Sequence, residues 1–229
     1  MKISIIVPTF NEEETIEEFI KKVSELKSKL KDFELIIVDD SLDRTAEIAR
    51  SLMKKFRIRG IVLKRIGKRG KGSAIRDGLK LAKGKYIVLI DADLQYPVKK
   101  IPALVEKLKE CDMVNTRRLR KDPFYRKFLG LGFRLLVFLL FGLTIETQST
   151  FRAFRKEVKE KIEFKANSWA WDVEFLYKAK KAGFKICSYP VIYGERKKGK
   201  SKISFNTSLI TSIKMFLELL KIRKFCLNY

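Results

Sequence analysis

The sequence contains no histidine and only three cysteines. Without an imidazole, a Ser-His-Asp or Cys-His nucleophile and a His-ligated zinc are excluded. Cys111, Cys187 and Cys226 form no C-x-x-C pair, so neither a disulfide framework nor a thiolate metal site is indicated. This cysteine usage fits a reducing cytosol.

Acidic residues are also scarce relative to basic ones. The 229 residues include 27 Asp and Glu against 51 Lys and Arg, which gives a net charge of +24. Such an excess favours an anionic partner: nucleic acid, an acidic membrane surface or a phosphorylated ligand. The hydrophobic fraction of 46% predicts a folded core rather than disorder.

The first half of the chain alternates strand-like and helix-like segments. The strand-like runs are Ile3 to Val7, which we expect Pro8 to end, and then Leu35 to Val38, Ile61 to Leu63 and Tyr86 to Ile90. Helical spacing is found in Thr15 to Leu30, from about Asp43, and in Ser73 to Lys83. This alternation predicts an α/β fold with an open, mainly parallel sheet, whose ligands bind beyond the carboxyl ends of the strands.

Polar residues follow three of the predicted strands, at Pro8 to Glu12, at Asp39-Asp40 and at Asp91 to Asp93. Each group alone is also explained by a turn or a helix cap, but the three together predict a site. Within it, Asp91 and Asp93 are spaced to face one cation if the strand continues through them. Carboxylate oxygens suit Mg²⁺ or Mn²⁺ bound together with a nucleotide diphosphate.

A basic, glycine-punctuated turn from Gly67 to Ser73 precedes the third predicted helix. Its spacing matches neither a Walker loop nor a dinucleotide-binding fingerprint. Its glycines still permit a close approach to an anion, with Lys71 as the candidate contact, and the alternative is a solvated basic turn.

The second half carries two apolar stretches with basic flanks. The first runs from Phe128 to Leu143, and its 16 residues are fewer than the roughly 20 that span a bilayer. The second runs from Leu209 to Leu220. Both are typical of amphipathic helices in a membrane interface, and the alternatives are a core helix and a C-terminal packing helix.

Seven motifs together carry a family resemblance. They read, in order, IIVPTFNEEETI, IVDDSLDRT, GKGSAIRDG, DADLQYP, TQSTFRAF, WAWDVEFLYKA and ERKKGKSK. The chain resembles family 2 glycosyltransferases of the GT-A fold, and within them the polyprenyl-phosphate group, which includes dolichyl-phosphate mannose and glucose synthases. The resemblance implies a GT-A domain at residues 1–205, with an interfacial helical insertion at about 122–143 and an amphipathic basic helix at 206–229.

The resemblance also implies roles for individual residues. The nucleotide-sugar site is assigned to Pro8, Phe10, Glu12, Val38, Asp40, Asp91, Ala92, Asp93 and Gln95, with Lys71 as a further candidate and with Arg196 and Lys202 on a closing basic loop. The metal ligands are Asp91 and Asp93, and the catalytic candidates are Asp93, Asp172 and Arg117. The acceptor phosphate is assigned to Arg117 and Arg126.

The chain departs from the family pattern just before the fifth motif. Relatives usually read Asp-x-x-(Ser/Thr)-Gly-Phe-Arg, whereas this chain has Glu146 in place of Asp and Thr150 in place of Gly. A longer carboxylate and a β-branched residue predict a shifted loop on the acceptor side.

The resulting hypothesis is an inverting, metal-dependent transferase that moves a hexose from a nucleotide sugar to a polyprenyl or dolichyl phosphate. GDP-mannose is favoured as the donor over UDP-glucose, and the protein is expected on the cytoplasmic face of the cell membrane, against an anionic surface and with a possible anchoring subunit. The alternatives are a transferase acting on a glycan or protein, and a basic nucleic-acid-binding module. No nucleic-acid partner is expected, because neither a zinc-finger spacing nor an RNA-binding arrangement of aromatics is present.

Overall fold

The computed structural model of the protein describes residues 2–67, 70–119, 124–195 and 216–224, with the backbone alone for residues 124–129. The strands are β1 (Ile3–Thr9), β2 (Phe33–Asp39), β3 (Gly60–Lys64), β4 (Tyr86–Leu89), β5 (Met113–Leu119), β6 (Arg152–Arg155) and β7 (Ile186–Ile192). The helices are α1 (Glu13–Ser24), α2 (Thr45–Lys55), α3 (Lys71–Leu81), α4 (Ile101–Lys107), α5 (Phe124–Phe141), α6 (Lys156–Lys161) and α7 (Trp171–Lys181). Short 3₁₀ turns follow α1 and precede α4, and residues 216–224 are helical.

The strands described form a single mixed sheet in the order β3-β2-β1-β4-β6-β5-β7. Strands β3, β2, β1 and β4 are parallel, and β5 is parallel to β7. Strand β6 is antiparallel to both of its neighbours, β4 and β5. As a result, β6 begins towards the carboxyl ends of β4 and β5: Arg152 pairs with Leu89, the last residue of β4, and with Asn115, beyond which β5 continues to Leu119. The predicted α/β fold with a mainly parallel sheet is confirmed.

The prediction that Pro8 ends the first strand is wrong. Strand β1 continues to Thr9, and Pro8 pairs with Val38 in the β1–β2 register. In a parallel strand, successive residues direct their backbone groups to opposite neighbours. The Ile6 carbonyl accepts a hydrogen bond from Ile90, next to β4, and pairing with β4 ends there. The backbone of Pro8 therefore points towards β4, at a position beyond the end of the β1–β4 pairing. Because no strand hydrogen bond would form there, the missing N–H of proline costs none.

The sheet is covered on both faces, as a mainly parallel sheet requires. Alternate residues of β1 enter different core clusters: Ile5 packs with residues of α1, α2 and α4, and Ile6 packs with residues of α3 and α7. Helix α5 and residues 216–224 cover the same face as α3 and α7.

The two apolar stretches of the second half each bury one side. Val137 and Phe141 of α5, and Leu219 and Ile222 of the C-terminal helical segment, are buried in the core cluster. The alternative role of these stretches, packing against the core, is therefore present on the sides of the two helices that face the core. Residues 209–215 of the second predicted stretch lie outside the described residues. Among the helices of the described ranges, none combines the length and the apolar character needed to cross a membrane.

Candidate active site

The loops that follow β1 and β2 are joined by hydrogen bonds. Asn11, in the left-handed region with φ of 52°, accepts a hydrogen bond from the Leu42 amide on its side-chain oxygen at 2.9 Å. Its own amide donates to the Ser41 hydroxyl at 2.7 Å, and the Glu12 amide donates to the Thr45 hydroxyl at 3.0 Å. Pro8, Phe10 and Glu12 lie partly buried along this joined edge. The predicted nucleoside segment is thus held in a fixed shape.

Asp40, assigned to the nucleotide site, is held by a residue that the sequence did not single out. Arg65 donates two hydrogen bonds to the Asp40 carboxylate, at 2.7 and 2.5 Å, and two more to Asp77 and Ser73 of α3, at 3.0 and 2.9 Å. Arg65 is only 6% exposed. Its burial lowers the pKa of the guanidinium, but the hydrogen bonds and the negative charges of Asp40 and Asp77 together raise that pKa by more. Val38, two residues before Asp40, is fully buried in the core.

The Asp91 to Asp93 segment is a bend and not the end of a strand. Strand β4 ends at Leu89, so the alternation of a strand does not set the directions of the two carboxylates. Asp93 instead accepts a hydrogen bond from the Gln95 amide at 3.2 Å, and Leu94 takes a left-handed φ of 63°. Ala92 is buried beneath them.

Asp91 is paired with Lys71, the first residue of α3. The Lys71 ammonium lies 2.8 Å from one carboxylate oxygen of Asp91 and 3.0 Å from the other. It also donates to the Thr150 hydroxyl at 2.5 Å. Thr150 stands where the family pattern has glycine, and its hydroxyl contributes to this contact.

The glycines of the basic turn place Lys71 against a neighbouring loop. Gly70 has a φ of 89°, and a Cβ there would lie 2.4 Å from the Asn167 carbonyl oxygen; a Cβ on Gly72 would lie 2.2 Å from that of Ala166. Gly72 donates its amide hydrogen to the Asn167 carbonyl at 2.8 Å. The backbone approach that glycine permits is therefore used to dock the turn.

The docked loop is held in turn by α7. Glu174, in the WDVE motif, accepts hydrogen bonds from the amides of Lys165 and Ala166 and an ion pair from Lys178 at 2.8 Å. Glu174 is 2% exposed, so a buried carboxylate organises the loop against which the basic turn rests.

Asp172, the other carboxylate of that motif, forms a buried ion pair with Arg152 at 2.5 Å. Arg152 is fully buried, its guanidinium carbon lies 4.9 Å from the Trp171 ring centroid, and its Nε and Nη1 atoms have no hydrogen-bond acceptor among the described residues. Burial raises the pKa of Asp172 to about 7, against the lowering effect of Arg152 and Lys71, while the Asp91 carboxylate raises it further. Asp172, Lys71 and Asp91 therefore belong to one electrostatic environment.

The two adjacent arginines of β5 face opposite ways. Arg117, assigned to the sugar and the acceptor phosphate, is exposed. Arg118 instead donates to Glu146 at 3.2 Å and to Gln148 at 2.9 Å, and its guanidinium carbon lies 5.4 Å from the Tyr193 ring centroid. Glu146, the longer carboxylate that departs from the family pattern, is thus the partner of Arg118. The side chain of Arg126 lies outside the described residues.

Gln95 connects the Asp91 to Asp93 bend with the segment after β7. Its side-chain amide donates to the Gly194 carbonyl at 3.1 Å, and its side-chain oxygen accepts from the Tyr193 hydroxyl at 2.8 Å. The Gly194 amide closes the contact by donating to the Gln95 carbonyl at 2.9 Å. Arg196 and Lys202 follow this segment in the sequence but lie outside the described residues.

The donor set fits a hard divalent cation. Asp91 and Asp93 supply carboxylate oxygens, the ligand type that Mg²⁺ and Mn²⁺ prefer. Within the described ranges, no group of three or more His, Cys, Asp or Glu side chains is placed to hold a metal ion. A metal here would take its other ligands from a diphosphate and water, as Mg²⁺ commonly does.

Three arginines that were not predicted to belong to the site lie at this edge as charged partners: Arg65, Arg118 and Arg152. The sequence carries a signal for two of them. Arg152 interrupts the apolar run from Phe151 to Phe154, and Arg65 lies two residues after the predicted strand Ile61 to Leu63. Long charged side chains at such positions are buried only when they are paired.

The chain is similar to known proteins in sequence and in fold. The family model described as "Glycosyl transferase family 2" matches residues 4–163. Dolichol-phosphate mannosyltransferase of Pyrococcus furiosus is 34% identical over 218 residues, which cover 90% of this chain and 60% of that protein. Dolichyl-phosphate beta-glucosyltransferase of Dictyostelium discoideum is 32% identical over 217 residues, which cover 84% of this chain and 66% of that protein. This chain spans less than two thirds of the length of either relative.

The fold is also found in solved structures. Glucosyl-3-phosphoglycerate synthase of Mycobacterium tuberculosis, crystallised with Mn²⁺, UDP-glucose and glycerol 3-phosphate, matches with a TM-score of 0.71 at 21% identity. The match covers 96% of this chain and 78% of that chain. The predicted GT-A-like architecture is confirmed.

Proposed function

We propose that this chain, which belongs to glycosyltransferase family 2, transfers a hexose from a nucleotide sugar to a polyprenyl or dolichyl phosphate with inversion at the anomeric carbon. Membership of the family confirms the resemblance that the seven motifs indicated. The observation that carries the proposal is the cluster at the carboxyl edge of the sheet, where Asp91, two residues before Asp93, is paired with Lys71, and Asp172 is paired with Arg152.

The reaction suits a chain without histidine. The second pKa of a phosphate monoester is near ~6, so at neutral pH the acceptor oxygen is already an anionic nucleophile. It forms a bond to the anomeric carbon, and the bond between that carbon and the nucleoside diphosphate breaks on the opposite side. No proton has to be removed, so Asp172 acts by orienting Arg152 rather than as a general base.

The chain's task is then to hold two anions together and to stabilise the departing diphosphate. Asp91 and Asp93 would hold Mg²⁺ or Mn²⁺, whose charge offsets that of the leaving group. Lys71 would add a second positive charge on the same side. Arg196 and Lys202, on the loop that begins beside Gln95, would close over the diphosphate, while Arg117 and Arg126 would bind the acceptor phosphate.

The proposed location is the cytoplasmic face of the membrane. Leu131, Leu135, Phe138 and Leu139 recur along one side of α5 and are exposed, as are Phe216, Leu217 and Leu220 of the C-terminal helical segment. We call these seven side chains the apolar face. Arg223 of the C-terminal segment hydrogen-bonds the Leu140 carbonyl of α5, which holds the two helices together. Exposed apolar side chains next to cations suit the surface of an anionic bilayer, with or without an anchoring subunit.

GDP-mannose is the favoured donor and UDP-glucose the second choice. The ERKKGKSK motif is nearer to the mannose type and WAWDVE to the glucose type, while DADLQ is common to both. Relatives that carry each of the two names match this chain at similar identity, 34% and 32%.

A panel of donors tests the proposal. The purified chain is incubated with radiolabelled GDP-mannose, UDP-glucose and other nucleotide sugars, each with a short-chain polyprenyl phosphate and Mg²⁺ or Mn²⁺. We expect a lipid-linked sugar from one donor, and no product after chelation. Transfer to a glycan or protein but not to the lipid phosphate would contradict the proposed acceptor, and no transfer from any donor would overturn the assignment.

A further inference from the structure

The Lys71 ammonium lies against the carboxylate of Asp91, where the assigned metal ion would bind. It contacts both oxygens of Asp91, at 2.8 and 3.0 Å. A divalent metal on Asp91 would bond one of these oxygens at about 2.0–2.2 Å and would repel an ammonium at the same place. The two cations therefore compete for one carboxylate.

Two features hold Lys71 in this position. The Thr150 hydroxyl accepts a hydrogen bond from the ammonium at 2.5 Å, and Thr150 is 3% exposed. The backbone of Lys71 lies between Gly70 and Gly72, both docked against residues 166 and 167. The side chains of Lys71 and Asp91 are 28% and 22% exposed, so water screens their attraction only in part.

From this geometry we infer that Lys71 couples metal binding to diphosphate binding, by holding Asp91 until a nucleoside diphosphate draws the ammonium away. This inference rests on the proposed metal-assisted transfer. With the diphosphate absent, Lys71 neutralises Asp91 and weakens its affinity for a metal. When a diphosphate binds, Lys71 turns to its oxygens and Asp91 becomes available. By linkage, each ligand then strengthens the other by the same factor.

The test measures Mn²⁺ binding to the full chain, from the loss of the free-ion electron paramagnetic resonance signal, without nucleotide and with saturating UDP or GDP. The variant is Lys71→Met, which keeps the length of the side chain and removes its charge. The matched control is Lys64→Met, because Lys64 pairs with Asp39 at 2.9 Å near the same edge of the sheet and does not contact Asp91. Both variants lower the net charge by the same amount.

Without nucleotide, we expect Lys71→Met to bind Mn²⁺ about 10-fold more tightly than the wild type, and Lys64→Met to bind as the wild type does. The ratio of Mn²⁺ dissociation constants without and with UDP or GDP should fall about 10-fold in Lys71→Met. The association of Mn²⁺ with the free nucleotide is the same for every variant, so it cancels in this comparison.

A second variant, Thr150→Val, keeps the shape of the side chain and removes the hydroxyl that holds the ammonium. It should tighten Mn²⁺ binding in the same direction by about 2-fold to 10-fold, the range that corresponds to one lost hydrogen bond. It also keeps the inference testable if Lys71→Met does not fold.

Two results would overturn the inference while leaving the proposed function intact: unchanged Mn²⁺ affinity in both Lys71→Met and Thr150→Val, or an equal gain in Lys64→Met. If no variant and no wild-type sample binds Mn²⁺, even with nucleotide, the metal assignment of the proposed function fails and the inference fails with it.

Discussion

The carboxyl edge of the sheet and the apolar face of α5 and residues 216–224 place side chains in opposite kinds of environment. At the edge, charged groups leave water: Arg65 is 6% exposed, Asp40 5%, Arg152 0% and Asp172 8%. On the apolar face, Leu135 is 56% exposed and Leu139 66%. Both arrangements cost free energy: buried charges lose their hydration, and exposed apolar groups order the water around them.

The difference between them indicates which ligand each region suits. Paired charges on a fixed scaffold are already oriented when a charged ligand arrives, so less reorganisation is needed on binding. Exposed leucines and phenylalanines gain about 1.5–3 kcal/mol each when fully removed from water, which only an apolar partner can supply. The edge therefore suits the diphosphate and the acceptor phosphate of the proposed reaction, and the apolar face suits the proposed lipid surface.

A substitution at the charged edge should reduce activity strongly. Asp93→Asn removes one charge of the proposed metal site but keeps the oxygen that accepts the Gln95 amide hydrogen, so the bend is preserved. We expect the rate of hexose transfer to fall by about 1,000-fold, the equivalent of several kcal/mol of lost electrostatic stabilisation. Transfer is measured with the preferred donor, and circular dichroism checks the fold. Full magnesium-dependent activity in Asp93→Asn would mean that the metal lies elsewhere.

An intermediate effect is expected on the apolar face. Leu135→Asp places a carboxylate at the centre of the exposed side of α5, and binding to vesicles that contain anionic phospholipid should weaken by about 10-fold to 100-fold. Because Leu135 is exposed, the free energy of unfolding should change by less than about 1 kcal/mol. Co-sedimentation with vesicles gives the first quantity and denaturant titration the second.

Ile61→Asp is the matched control for that comparison. Ile61 is also an exposed apolar residue, at 45%, but it lies on β3, the strand at one end of the sheet, and is not part of the apolar face. It should leave vesicle binding unchanged. Equal losses in Leu135→Asp and Ile61→Asp, or none in either, would remove the distinction between the apolar face and the rest of the surface.

The buried pair at the edge should make the stability of the fold depend on pH. Because burial raises the pKa of Asp172 from 3.8 to about 7, the folded chain binds one more proton than the unfolded chain between about pH 4 and pH 7. Stability should therefore decrease as pH rises through that window, by at most about 1.4 kcal/mol per pH unit, and change little from this group above it.

Asp172→Asn keeps a side-chain oxygen that can accept the hydrogen bond from Arg152, and it removes the carboxyl group that titrates. The difference in free energy of unfolding between pH 5 and pH 7 should be smaller in Asp172→Asn than in the wild type. Identical pH slopes for the two proteins would show that the pKa of Asp172 is near its ordinary value and that Arg152 outweighs burial.

Local patterns predicted most of the first half of the fold. The runs of β-branched and apolar residues in β1 to β4 were identified to within a few residues. Strands β1, β2 and β4 are buried on both faces and therefore read as continuous apolar runs, while the exposed strand β3 was identified from its short β-branched run. Pro8 was misjudged because its effect depends on which neighbour its backbone faces. That neighbour, β4, is about eighty residues away in the sequence.

The candidate site was predicted in outline and not in its contacts. The polar ends of β1, β2 and β4 meet at one edge, as their parallel order requires. The sequence did not indicate that Arg118 rather than Arg117 turns towards Glu146, because that depends on the face of β5 that each residue occupies. It also gave no partner for Lys71 or Asp172.

The amino-acid sequence alone was enough to exclude histidine chemistry and to predict the alternation of strands and helices, the order of the seven motifs and the excess of positive charge. The pairing of charges became known from the folded chain: Arg65 with Asp40, Lys71 with Asp91, and Arg152 with Asp172. These pairs join residues 20 to 25 positions apart, which the sheet brings together. The antiparallel insertion of β6 between β4 and β5 brings Arg152 to the edge, and no local periodicity encodes that placement.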